Sequence, residues 1–362
     1  MKLKLGFFTQ PVHPPTRVYG DVLQEDREAV VLADRLGFDE AFIGEHLADS
    51  AETITSSLAF IASLADRCPS IALGTGVLAL PNYHPVMAAA QVAMVDHLVG
   101  GRLLLGVGPG VPPDAEAIGD TGVDRNRKLL EAIEHLLALW TRAAPYRIEG
   151  QFYRTTTERS LNPDIGVGIV VKPLQVPHPP IVITSIRPDS AGPRMAGSRD
   201  WTGISASYVG AHVVRSHIAR YAAGRAEAGL SSDTAGWRLA RSIFVAEDQA
   251  TTLRYAHSED GPYGFYSRVM MTKLAVFGGL GLMLDHPEQQ DVELSLKRTL
   301  QRLVIAGTPE SVADQLLALR RDVGPFGTLL YTGHDWADRA LSRRSMELMA
   351  NEVWPRVAAA TD

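Results

Sequence analysis

The sequence predicts a (β/α)8 TIM barrel with an insertion after its seventh strand. Three observations predict it. Eight short apolar runs recur along the 362 residues. Amphipathic, helix-length stretches separate them. The runs lack the strict alternation that a solvent-facing sheet imposes, as expected for strands covered on both sides. Barrels of this kind commonly reach this length as one unit, so residues 1–362 are read as a single barrel domain.

The eight runs are Leu3–Phe8, Ala41–Gly44, Ile71–Leu78, Leu103–Val107, Ile181–Thr184, Thr202–Ser205, Ser242–Ala246 and Thr328–Thr332. Between the first two, Asp21–Leu36 places Val22, Leu23, Val30, Ala33 and Leu36 on one face and stops at Gly37, a natural C-terminal cap. Asp124–Trp140 repeats the pattern with Leu129, Leu130, Ile133, Leu136, Leu137 and Trp140. Thr308-Pro309-Glu310 opens a helix with a hydroxyl cap, a proline in the first turn and an acidic residue near the N-terminal dipole. A doubly wound open sheet shows the same alternation, and counting strands does not separate the two. Residues 141–180 are rich in Pro and Gly and hold a hairpin, Tyr146–Tyr153, around Glu149-Gly150. Residues 257–290 carry Gly261, Gly264, Gly278, Gly279 and Gly281 among Phe265, Met270, Met271, Phe277 and Met283. Long glycine-punctuated insertions in compact folds are uncommon without a role, so this one reads as a mobile lid.

Composition excludes several classes of function. The net charge is -6 with no Lys/Arg block, so no nucleic-acid surface is expected. Hydrophobic residues are 46% and charged residues 21%, which suits a large core. The single cysteine, Cys68, excludes an intrachain disulfide framework and a multi-cysteine zinc site, and reads as a packed residue. The leading KLKLGFFTQP is too short for a secretory signal, and no stretch approaches ~20 apolar residues, so no membrane span and a cytoplasmic location are expected. There is no HExxH, and His212 and His217 are off one helical face, so no metal is expected. A GxSxG nucleophile elbow is absent.

Barrel enzymes place chemistry at strand ends. The second run ends in Gly44-Glu45-His46. Neighbouring positions face opposite ways, so Glu45 and His46 have different roles, and His46 is placed to act as a base or a hydrogen-bond donor at neutral pH. A loop histidine satisfied by backbone fits the same position. Gly74 and Gly76 lie inside an apolar strand that continues through Val77, which suggests close approach of a ligand or strained backbone. His84, just before Pro85, reads as structural. Gly106-Val107-Gly108-Pro109-Gly110 is not a dinucleotide loop: Pro112-Pro113 follow, and no helix is expected to open there. It reads as a flat platform over the strand end. Thr184 to Gly192 brings Ser185, Arg187, Ser190 and the Ala191 amide before a short helix, the ingredients of a phosphate site, though also of an ordinary serine cap.

Together these segments resemble the bacterial luciferase-like flavin monooxygenases: Phe42-Ile43-Gly44-Glu45-His46, Gly74 to Leu80 with Pro81-Asn82-Tyr83-His84-Pro85 and Asp96 downstream, and Gly101-Arg102-Leu103 to Gly108. Gly106 to Gly110, Pro177-His178-Pro179-Pro180-Ile181, Gly192-Pro193-Arg194-Met195-Ala196-Gly197 and Ala306-Gly307-Thr308-Pro309-Glu310 are most similar to the limonene-monooxygenase-type branch. The resemblance implies a TIM barrel that receives reduced FMN from a separate flavin reductase. The flavin reacts with O2 to a C4a-hydroperoxide that oxygenates an organic substrate. It implies His46 as the active-site histidine and Gly76-Val77 as a cis peptide behind the flavin. Gly108 stands where luciferase has a reactive cysteine, and Pro109 replaces a phosphate-binding arginine. Phosphate contacts then fall to Ser185, Ser190, Ala191 and Arg187, with Gly44, Glu45, Gly76, Val77 and Gly108 around the ring. The apolar lid suggests a terpenoid- or polyketide-like substrate; ketone insertion, epoxidation and hydroxylation stay open. An F420-dependent oxidoreductase on the same fold and a non-catalytic flavin-binding protein are the alternatives. The helices around Thr55–Ala65 and Val86–Val95 are apolar on nearly all sides, which suggests a homodimer.

Overall fold

The computed structural model describes residues 3–10, 12–286, 288 and 294–361. Residues 287, 289 and 290 of the expected lid lie outside the described residues. Eight parallel strands close on themselves: β1 (Lys4–Thr9), β2 (Glu40–Ile43), β3 (Ala72–Thr75), β4 (Leu103–Gly108), β5 (Ile181–Ser185), β6 (Thr202–Ser205), β7 (Trp237–Val245) and β8 (Thr328–Gly333). β8 pairs with β1 and β7 with β6, so no edge remains, and the open-sheet alternative is excluded.

The strands alternate in the way a filled barrel requires. Phe8, Phe42, Val182, Ile204, Ala240 and Leu330 form the interior cluster. Leu5, Phe7, Ile43, Ile183 and Leu239 face the helices as part of the main core. The barrel floor holds a buried ion pair: Arg238 donates from Nε to Glu40 Oε1 (2.6 Å) and from Nη2 to Oε2 (2.9 Å). This fork geometry satisfies both carboxylate oxygens, which is what makes burying the pair tolerable.

The helix starts legible in the sequence are in place. The first helix is Tyr19–Arg35, and Gly37 beyond it has φ +78°, the left-handed conformation that glycine adopts freely. Asp124 caps the helix Arg125–Thr141 through the Arg127 N–H, and His84 Nδ1 accepts from the Val86 N–H at the start of Pro85–Leu98. The helix Pro309–Val323 begins after Thr308, although that hydroxyl makes no capping bond. The hairpin pairs Arg147–Glu149 with Arg154–Thr156.

Three details differ from the sequence reading. β7 is nine residues long, so Ser242–Ala246 marked only its outer end. Its inner part pairs with β6 and β8, and Ser242–Val245 pairs with an additional strand, Val304–Gly307, that follows the insertion. A short helix, Pro112–Ala117, does open after Gly110. Its first turn tolerates Pro112 and Pro113 because the N–H groups there have no intrahelical partner anyway. The helix expected over Thr55–Ala65 is only Ser57–Ala62.

The insertion crosses the C-terminal mouth of the barrel. Its main element, Pro262–Val276, buries Tyr263, Tyr266, Ser267, Met270 and Leu274 along one face. Among the described residues, no helix is long and apolar enough to cross a membrane.

Candidate active site

Beneath Pro262–Val276 lies a cavity of about 330 Å³ at the C-terminal ends of the strands. His46 lines it, and so do Gln10, Glu52, Asp114, Arg187 and Lys273. Apolar surface comes from Val111, Pro113, Ile186, Met270, Leu274 and Phe277.

The loop after β2 holds His46 firmly. Its backbone N–H donates to the Ile54 carbonyl (3.0 Å). Asp114 Oδ1 accepts from the N–H groups of Leu47 (3.0 Å) and Ala48 (2.9 Å), and Asp49 Oδ1 accepts from Ala51 and Glu52. The His46 ring is fixed by a 2.6 Å ion pair between Nε2 and Glu52 Oε2. Its other nitrogen, Nδ1, is buried, has no hydrogen-bond partner, and lies 3.8 Å from Asp114 Oδ2. A buried polar atom left without a partner beside a cavity calls for an explanation, and a ligand group is one.

Electrostatics keep the ring basic. Burial disfavours the imidazolium, but the Glu52 carboxylate outweighs burial, so the His46 pKa stands above its ordinary 6.5. Lys273, on the helix Pro262–Val276, pulls the other way on His46. Burial would raise the Glu52 pKa, but His46 and Lys273 hold it down to about 2. Glu52 is therefore ionised at neutral pH.

A second feature lies on the loop after β5. His217 is buried, and burial drops its pKa to about 4, so the ring is neutral. Trp237 Nε1 donates to Ser205 Oγ (2.9 Å), that hydroxyl meets His217 Nδ1 (2.9 Å), and His217 Nε2 donates to the Arg187 carbonyl (2.9 Å). This chain pins the backbone of the loop. Asp189 turns at φ +54° and donates its N–H to Ser216 Oγ (2.7 Å). Ser190 occupies the N-cap position of the eight-residue helix Ala191–Ser198, but its Oγ makes no capping bond and is buried with no partner among the described residues. First-turn amides and an unpartnered hydroxyl fit an anion such as phosphate. Ser185 is buried against the start of that helix. The Arg187 side chain is exposed and reaches the cavity.

The other expected residues are placed differently. Glu45 is buried and turned into the protein. It accepts from the Ser57 N–H (2.9 Å) and Oγ (2.7 Å), from the Ala79 N–H (3.4 Å) and from Tyr83 Oη (3.1 Å). Gly44 donates its N–H to the Thr9 carbonyl (3.1 Å). The Gly76–Val77 bond is cis. A Cβ on Gly76 would lie 2.4 Å from the Phe8 ring, so the close approach there is made by a neighbouring side chain. A Cβ on Gly108 would meet Val77 Cγ2 at 2.7 Å, so Val77 occupies the space beside it. Gly44, Glu45, Gly76, Val77 and Gly108 thus sit at the C-terminal ends of β2, β3 and β4, and of the expected set only His46 and Arg187 line the cavity.

Glu52, Lys273, Asp114, Asp49 and Gln10 were not foreseen. Gln10 Oε1 accepts from Ser207 Oγ (2.9 Å) and Tyr266 Oη (2.7 Å), and Tyr266 stacks on the buried His334 ring. A second polar cluster lies outside the cavity: His13, Glu25, Asp26 and Asp335 with Arg17. Its acidic groups are met by His13 and Arg17.

Residues 3–325 match the family described as luciferase-like monooxygenase. The chain is 31% identical over its whole length to 4-hydroxyprotoasukamycin monooxygenase of Streptomyces nodosus subsp. asukaensis, covering 94% of that protein. It is 29% identical to limonene 1,2-monooxygenase of Rhodococcus erythropolis, across 98% of this chain and 86% of that one. The solved oxygenating constituent of 3,6-diketocamphane monooxygenase from the CAM plasmid of Pseudomonas putida, a type II Baeyer-Villiger monooxygenase in complex with FMN, superposes with a TM-score of 0.88 at 24% identity, covering 99% of each chain. The closed barrel, the strand-end histidine and a family match that spans nearly the whole chain agree: this protein belongs to the luciferase-like monooxygenase family.

Proposed function

We propose that this chain is the oxygenase of a two-component system, taking reduced FMN from a separate reductase and using O2 to oxygenate a hydrophobic small molecule. The observation that carries the reading is His46: it lines a largely apolar cavity, Glu52 fixes its ring through Nε2, and its buried Nδ1 has no hydrogen-bond partner among the described residues. Reduced FMN and O2 supply the oxidising chemistry when bound. The protein's part is to hold the flavin, exclude water and manage a proton at Nδ1. Ser190 Oγ, the Ala191 N–H, Ser185 and Arg187 would hold the phosphate, and Gly44, Gly76, Val77 and Gly108 would support the ring. Two relatives support the reading: one named as acting on limonene, and a solved fold neighbour with FMN bound, described as one constituent of its monooxygenase. The test is 18O2 incorporation into terpenoid and polyketide-like substrates with reduced FMN supplied by an unrelated reductase. Flavin binding without turnover, or hydride exchange with F420 instead, would overturn it.

The whole chain serves as one barrel domain in this reading, and the insertion over the cavity acts as its lid. Its cytoplasmic setting follows from the reductase that must supply reduced flavin. We also infer a homodimer. Met87, Met94 and Leu98 expose more than half their surface along one stripe of the helix Pro85–Leu98. Val171 and Val176 are exposed on the neighbouring segment, which is tied to that helix through Asp96 and Gln175. Ser57–Ala62 contributes less, because Leu58, Phe60 and Ile61 are covered by their own chain. Light scattering at micromolar concentration should give twice the chain mass, and Met94→Arg should shift it toward one. A monomeric wild type rules the dimer out.

A further inference from the structure

Resting on the reading of His46 as the proton-managing group, we propose that Lys273 latches the lid helix onto Glu52, the positioning residue of His46, so that seating the lid and deprotonating His46 are one coupled event. The geometry is a continuous chain. His46 Nε2 meets Glu52 Oε2, and Lys273 Nζ donates to Glu52 Oε1 and to Asp49 Oδ2. Each Glu52 oxygen thus serves one cation, one from the β2 loop and one from the lid. Glu52 itself is 3% exposed, so its charge acts with little screening. Lys273 is the only lid residue with an ion pair to this loop among the described residues.

The sign of the coupling follows from the charges. The groups facing the cavity around His46 are Asp49 and Glu52 from its own loop, Asp114 from Pro112–Ala117, Arg187 from the β5 loop, Tyr208 from the β6 loop and Lys273 from the lid. Tyr208 stays neutral, because burial raises its pKa. Lifting the lid helix removes a cation from Glu52 and admits water to the ring. Both changes favour the imidazolium, so His46 binds its proton more tightly with the lid open. By linkage, losing that proton favours the closed lid. The closed state therefore holds the His46 proton less tightly than the open one, which eases its transfer.

The test uses the resting protein without flavin, so it succeeds or fails independently of the monooxygenase reading, which oxygen incorporation judges. The His46 ring is titrated by 15N NMR, with His46→Gln assigning its signal among the 11 histidines. Hydrogen exchange reports on residues 262–276. Lys273→Met should raise the His46 pKa by about one unit, a tenfold change in proton affinity, and speed exchange of the lid helix. Lys273→Arg should stay near wild type in both, and Glu52→Gln should lower the His46 pKa by a unit or more. Wild-type protection of the helix should increase as pH rises through the His46 titration. An unchanged His46 titration in Lys273→Met, or helix exchange indifferent to both pH and Lys273, overturns the proposal.

Discussion

His46→Ala is expected to leave FMN binding intact while lowering the yield of oxygenated product about 10²–10⁴-fold, the usual size of a general acid–base contribution. Binding should survive because the groups proposed for the phosphate lie on the β5 loop, which the Trp237–Ser205–His217 chain fixes without His46. Product should fall because His46 is the one histidine lining the cavity among the described residues, and its Nδ1 is left without a partner. Glu52 is locked as a carboxylate, and burial keeps Tyr208 protonated. Oxygen should still be consumed, now released as hydrogen peroxide. The wild-type product yield should show a titration above pH 6.5 that the variant lacks. Measuring FMN affinity, product and peroxide on both proteins separates the roles: a variant that oxygenates substrate at the wild-type rate makes His46 structural.

The barrel was legible in the sequence because each strand and helix carries its own period and punctuation. Gly37, Asp124 and Thr308-Pro309-Glu310 act within a few residues of the ends they mark, so local reading finds them. The sequence reading shortens β7 to its outer end because Arg238 and Arg241 interrupt the apolar signal. Arg238 is accommodated by Glu40, which lies 198 residues away in sequence, and by Thr202. In the sequence, the glycines of the β4 end read as a flat platform over the strand end. At Gly106, however, a Cβ would lie 1.8 Å from the Thr75 carbonyl oxygen, so the residue serves strand packing. His46 was found because strand ends are where barrels put chemistry. Its partners were not. Glu52 and Lys273 are 221 residues apart, and neither periodicity nor a short motif reports a contact between a loop and a distant helix. The one signal available was a lone lysine in an otherwise apolar stretch of the insertion.

The largest stability effect is expected at His13, which ties the seam between β1 and β8. Nδ1 lies 2.6 Å from Asp335 Oδ1, and Nε2 is 3.2 Å from both oxygens of Asp26; all three side chains are buried. Burial works against the imidazolium, but its bonds to Asp26 and Asp335 outweigh burial and raise the pKa to about 9. Arg17 still reaches Asp335 (2.5 Å) and Glu25 (2.8 Å) when His13 is removed, whereas Asp26 keeps no other side-chain partner among the described residues. His13→Ala thus strands a buried carboxylate, and a loss of about 3–5 kcal/mol is expected, the usual cost of breaking one side of a buried pair. The pH dependence has a definite sign. The folded pKa lies above the ordinary 6.5, so the imidazolium's contribution is complete below pH 6.5 and disappears as pH rises through about 9. Asp26, whose pKa burial raises, acts in the same direction. Wild type should therefore lose stability across that interval, and the variant should lose less there because it has no imidazolium to deprotonate. Acidification should recover part of the variant's loss as Asp26 takes up a proton. Urea unfolding of both proteins at pH 6, 7.5 and 9 measures all three. A deficit under about 1 kcal/mol, or one that does not shrink as pH rises, would mean that Arg17 alone balances the cluster.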